Sequence, residues 1–166
     1  MKNKLIALYE NSKPSTPLGW EDRDIRIHSA IAVLMKYGLQ DVSVDIAYSW
    51  MPTMLKHKGD YKKINQLIFK AKNEDLEISE LEEFKSLVNN SIVGVSKVLA
   101  LCYPDRFAIW DSRVAKALNL KSSAVVKIEI YLTYIKSIRD ASKEINVKIR
   151  DIESAAYLAG GANPSK

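Results

Sequence analysis

The stretch NNSIVGVSKVLALCYPDRFAIWDSRVAKAL, residues 89–118, sets a lysine and an aspartate, Lys97 and Asp111, among residues that otherwise read as buried helix. A lysine amine attacks electrophilic carbon only in its neutral form, so a nucleophilic role requires a depressed pKa. Placed in the first turn of the apolar helix SKVLALCY, Lys97 meets the positive end of the helix dipole, which disfavours its charge. It is four residues before Leu101 and so borders the buried face. Asp111 opens the next helix, where it is a conventional N-cap, and that structural role is sufficient to account for it. A shared site requires the two side chains to meet, and simple lengths permit this. The six helical steps from Lys97 to Tyr103 climb about 9 Å, and the eight steps back to Asp111 reach up to about 26 Å if extended.

The elements that must position this pair read as helices, with Pro and Gly at the breaks. NKLIALYEN carries a short apolar stripe and is followed by a polar connector with two prolines. DRDIRIHSAIAVLMKYGL places Ile27, Ala30, Ile31 and Leu34 at helical spacing and ends at Gly38. SVDIAYSWMPTMLKHK is predicted helical, with Pro52 starting a second helix or kinking the first. DYKKINQLIFKAK puts Ile64, Leu67 and Ile68 on one face, and SELEEFKSLV opens with a capping-box pattern, Ser79 and Glu82. AVVKIEIYLTYIKSIRD fits both a strand alternation and a helical stripe, and its length favours helix. KIRDIESAAYLAGG is a final amphipathic helix with glycines at its C-cap and a frayed tail, 160–166. The expectation is an all-α fold, a compact bundle of about eight or nine helices. It forms one domain over 1–166, divisible into lobes 1–90 and 91–159.

Composition narrows the function classes. With 47% hydrophobic and 27% charged residues the chain is that of an ordinary soluble globular protein. No apolar run approaches the roughly 20 residues that span a bilayer, and MKNKLIALYENSK is no signal segment, which implies a cytoplasmic protein with no membrane partner. A single cysteine, Cys102, excludes an intrachain disulfide and a cysteine metal cluster, and two histidines, His28 and His57, disfavour catalytic zinc. The net charge of +5 is unevenly placed: residues 1–92 carry 13 basic and 13 acidic side chains, residues 93–166 carry 12 and 7. The basic part therefore begins with the Lys97 stretch, which suits contact with a polyanion. Residues 56–72 hold six lysines and one aspartate, and 74–83 hold six acids and no base. These runs read as solvated helix faces, with phosphate contacts by the lysine-rich helix as the alternative.

VGVSKVLALC followed by FAIWDSRVAKAL resembles the helix-hairpin-helix DNA glycosylases, in particular the 8-oxoguanine DNA glycosylase/lyase branch. That family has a hairpin with two glycines flanking an apolar residue before Ser/Thr and the catalytic lysine, and an aspartate at the start of a later helix. Here the order is Val93, Gly94, Val95, Ser96, Lys97, with one glycine. The resemblance implies a helix-hairpin-helix element, Lys97 and Asp111 as catalytic residues, and Gly94, Val95 and Ser96 as a DNA-contacting hairpin. It implies double-stranded DNA with a damaged base as the partner, with neither metal nor organic cofactor. A damaged purine such as 8-oxoguanine would be turned out of the duplex and removed through a Lys97 Schiff base. Asp111 would stabilise positive charge developing on the sugar. Phe107 and Trp110 are candidates to stack on the extruded base, as are Trp20 and Trp50. Arg113, Lys116 and Arg106 are candidates for phosphate contacts. The same scaffold without chemistry, binding DNA or protein, is the competing expectation.

Overall fold

A computed structural model describes residues 1–12, 21–49, 53–56 and 58–161. The expectations placed on Trp20, Trp50, Pro52 and residues 162–166 lie outside that set. The described chain contains nine α-helices: α1 (Lys2–Ser12), α2 (Glu21–Lys36), α3 (Val42–Ser49), α4 (Tyr61–Ala71), α5 (Ile78–Leu87), α6 (Ile92–Cys102), α7 (Ser112–Ala117), α8 (Ile128–Ile145) and α9 (Ile149–Gly161). A 3₁₀ turn, Ser122–Ala124, separates α7 from α8. Among the described residues there is no strand, only an isolated bridge between Lys58 and Val88, and no helix is long and apolar enough to cross a membrane. The fold is all-α.

Local chemistry accounts for most of the boundaries. Gly38, with φ +74°, takes the left-handed conformation that closes α2. Asp60 caps α4 by accepting the Lys62 and Lys63 amides. The capping box of α5 lies two residues upstream of the expected position, with the Glu80 carboxylate accepting the Glu77 N–H at 2.9 Å. The ambiguous segment is helix throughout α8, because Ile128, Tyr131, Tyr134, Ile135 and Ile138 share a buried face that a strand would split. Two helices differ from expectation at their ends. α3 is described as far as Ser49, and the segment 53–60, so far as it is described, runs past the α5–α6 turn without helix, its Gly59 N–H donating to Leu87 O at 2.8 Å. α9 continues through both glycines, because Gly160 is buried against the Arg113 carbonyl and helps build the core rather than fraying.

The packing crosses the expected lobe boundary at residue 90. α6 packs on α2, α3, α4 and α5, whereas α1 packs on α8 and α9, and α7 lies against α9. The chain's first helix therefore closes the C-terminal group, with Leu5 fully buried there. Large side chains fill the interior, Trp110, Tyr131, Tyr134 and Phe84 among them.

Candidate active site

The connector between α6 and α7 decides whether Lys97 and Asp111 meet. Its backbone is held residue by residue: Phe107 N–H donates to Tyr103 O at 2.9 Å, Ile109 N–H to Glu153 Oε2 at 2.8 Å, and Trp110 N–H to Ser96 Oγ at 3.0 Å. The last of these matters most. Ser96 precedes Lys97 and Trp110 precedes Asp111, so this buried hydrogen bond joins the two stretches of chain that carry the lysine and the aspartate; the aspartate acts on Lys97 electrostatically, without an ion pair between them among the described residues. Ser96 is fully buried and donates its own hydroxyl within α6, to Val93 O at 2.8 Å. Trp110 anchors the other end: its indole N–H reaches Val125 O at 3.1 Å, and its ring lies 5.0 Å from that of Tyr134.

Lys97 is half-buried in α6. Burial depresses its pKa, and the negative charges of Asp111 and then Glu153 partly oppose that shift. The cause differs from the expected one: α6 begins at Ile92 with Ser91 as its N-cap, so Lys97 stands in the second turn, and desolvation rather than the dipole favours the neutral amine. Asp111 caps α7 as expected, with Oδ1 accepting the amides of Arg113 at 2.9 Å and Val114 at 3.0 Å. Both bonds fall on one oxygen, so the cap does not use Oδ2. The cap and the electrostatic action on Lys97 coexist.

Glu153 is a member of the site that the residue pattern alone did not single out. Only 4% exposed, it accepts the Ile109 amide, pairs with Arg150 and acts electrostatically on Lys97. A signal was present in DIESAAYLAG, where an acid falls on the same helical face as Ile149, Ile152 and Ala156. The Tyr134 hydroxyl, fully buried and without a hydrogen-bond partner among the described residues, feels both Glu153 and Asp111. Burial and these carboxylates push the phenol well above its ordinary range, so it stays protonated.

The other expected site residues fall elsewhere. Gly94, Val95 and Ser96 are buried helix rather than an exposed hairpin. The left-handed turn before α6 is made by Asn89 and Asn90, with φ of +53° and +51°, residues that tolerate this conformation. The Gly94 N–H donates to Ser91 Oγ and the Val95 N–H to Ser91 O, so neither amide is open to a phosphate. Gly94 is needed for a different reason: a Cβ there would lie 2.2 Å from the Tyr48 hydroxyl, so the glycine lets α3 approach α6. The expected base-pocket aromatics are core residues. Trp110 is 0% exposed with no free face for a base, and Phe107 is buried beneath the guanidinium groups of Arg106 and Arg139. Arg113 is exposed and stacks on Tyr157, Lys116 is exposed in the last turn of α7, and Arg106 pairs with Asp75. No family model, curated protein or solved structure matches the chain significantly.

Proposed function

We propose that this protein is a DNA N-glycosylase with abasic-site lyase activity, acting on an oxidised purine such as 8-oxoguanine through a Lys97 Schiff base. The observation that carries the reading is the Ser96–Trp110 clasp, which joins the chain at a half-buried lysine with depressed pKa to the chain at an aspartate that acts on it electrostatically and whose second oxygen is left over by its cap. A depressed pKa enlarges the fraction of neutral amine, the form that attacks. In the proposed reaction the Lys97 Nζ lone pair forms a bond to the sugar C1′. The bond from C1′ to the base nitrogen breaks, its electron pair leaving with the base, which takes up a proton. The Asp111 carboxylate offsets positive charge on the sugar as that bond lengthens. Ring opening gives the Schiff base, and loss of a proton from C2′ expels the 3′ phosphate by β-elimination.

The deciding measurement is borohydride trapping on duplex oligonucleotides carrying 8-oxoguanine or an abasic site. A covalent adduct is expected that is lost in Lys97→Ala and retained in Lys116→Ala. A second reading, a helical module that binds DNA or protein without chemistry, is favoured by the burial of Gly94, Val95 and Ser96, which removes the hairpin expected to grip phosphate. No adduct on either lesion, with salt-sensitive DNA binding intact, would select it.

A further inference from the structure

The lysine-rich run of residues 56–72 plays no part in the Lys97 site, and its charges are unevenly neutralised. Lys58 pairs with Asp41 and Asp45, Lys63 with Glu83, and Lys70 with Glu74 and Glu80. Lys56, Lys62 and Lys72 make no ion pair among the described residues. Two adjoining surface hollows, of about 540 and 280 Å³, share Gln40 and Phe69; Lys62 lines the larger, and Lys72 and Lys36 of α2 line the smaller. Among the described residues, no carboxylate lines either hollow. Two of the run's three unpaired lysines, Lys62 and Lys72, are therefore gathered with Lys36 around one aromatic ring.

Phe69 is 64% exposed. Single exposed apolar residues are ordinary; the setting of this one is not. Lys62, Gln66, Phe69 and Lys72 follow one another at helical spacing along the outer side of α4 and its C-cap, over about 15 Å. The amides of Asn65 and Gln66 lie in the same hollow. An acid-free arrangement of cations that follows a line, interrupted by an open ring face, matches a chain of phosphates with an unpaired base between them. A duplex keeps its bases stacked on one another and has none to offer the ring, and an acidic peptide would leave the ring face unused.

We propose that the α2–α4 surface around Phe69 is a binding site for single-stranded nucleic acid, with a base stacked on the Phe69 ring and neighbouring phosphates held by Lys36, Lys62 and Lys72. The site lies outside the Lys97 chemistry and does not depend on it. The test is fluorescence anisotropy of a labelled, undamaged twelve-nucleotide oligothymidine against the full chain at several salt concentrations. Because the oligomer carries no lesion, failure of the glycosylase reading leaves this measurement untouched. Phe69→Ala is expected to weaken binding by about tenfold, the loss of one stacked base. The triple variant Lys36→Gln, Lys62→Gln, Lys72→Gln is expected to flatten the plot of log affinity against log salt by about 2, the release expected for three phosphate contacts on a single strand. Lys63→Gln with Lys70→Gln, which removes paired charges, is expected to change binding little. All substituted side chains are at the surface, and circular dichroism checks that the helices persist. Unaltered affinity in both the Phe69 and the triple variant would overturn the proposal. So would displacement of the oligomer by polyglutamate of equal charge together with indifference to Phe69→Ala, since the surface would then accept any polyanion.

Discussion

Asp111 carries two roles that substitution can separate. Asp111→Ser keeps an oxygen for the Arg113 and Val114 amides and removes the charge, whereas Asp111→Ala removes both. Thermal unfolding is expected to show a loss of about 1 kcal/mol for the alanine and much less for the serine. Trapping is expected to fall in both; a serine variant that traps as wild type would reduce Asp111 to a cap. Lys97 gives a pH prediction. Its folded pKa lies below its ordinary 10.5, so the unfolded chain holds the more protons between the two values. Stability contributed at this position therefore rises with pH across that window, and below it the burial penalty on the ammonium is present in full. Denaturant unfolding of wild type against Lys97→Met, followed from neutral pH to pH 10.5, reads the difference. Glu153→Gln preserves an acceptor for the Ile109 amide but removes a charge that raises the Lys97 pKa. Reductive methylation of Lys97 is expected to titrate lower still in that variant, and an unmoved midpoint would show that Glu153 acts on the connector alone.

Two glycines set how closely the helices approach, and the atoms they face rank their substitutions. At Gly160 an added Cβ would meet the Arg113 backbone carbonyl oxygen at 1.9 Å, with no side chain able to turn aside. Gly160→Ala must therefore displace α9 from α7, the helix that Asp111 caps. At Gly94 the nearest atom is the Tyr48 hydroxyl, which Tyr48→Phe removes at the cost of a long 3.4 Å hydrogen bond to Val88 O. Overpacking of this kind costs about 1–3 kcal/mol. Gly160→Ala is expected to exceed Gly94→Ala in lost stability, and Tyr48→Phe is expected to restore part of the Gly94→Ala loss and none of the other, as read by chemical denaturation of the three single variants and the two doubles with Tyr48→Phe. Equal rescue of both would contradict the distinction between side-chain and backbone obstruction.

Across the whole molecule, sequence order and spatial grouping diverge. α1 belongs with α8 and α9, and its one fully buried side chain, Leu5, depends on partners more than a hundred residues away. Leu5→Ala is expected to cost about 2–5 kcal/mol, the range for a large-to-small change in a packed core. A loss near zero, measured by the same denaturation, would show that α1 does not close the C-terminal group. The ties around Asp75 are weaker in kind: Arg139 and Arg106 join it to the connector and α8, but the carboxylate is exposed and solvent screens the pairs.

The sequence by itself determined what is local. Apolar spacing within about three turns defines α2, α4, α8 and α9, and Asp111 is recognisable as an N-cap because capping involves a side chain and amides two and three residues on. Lys97 and Asp111 were legible as candidates by residue type, and the length of the intervening chain left their meeting open. What only the tertiary structure decided is every property set by residues distant in the chain. The Ser96–Trp110 clasp, the burial that depresses the Lys97 pKa, and the insertion of Glu153 beneath the connector all join different elements. Gly94 shows the limit most plainly: a glycine near a turn reads the same whether it supplies a left-handed φ or admits a neighbouring helix. Its neighbour Tyr48, forty-six residues earlier, is what distinguishes the two.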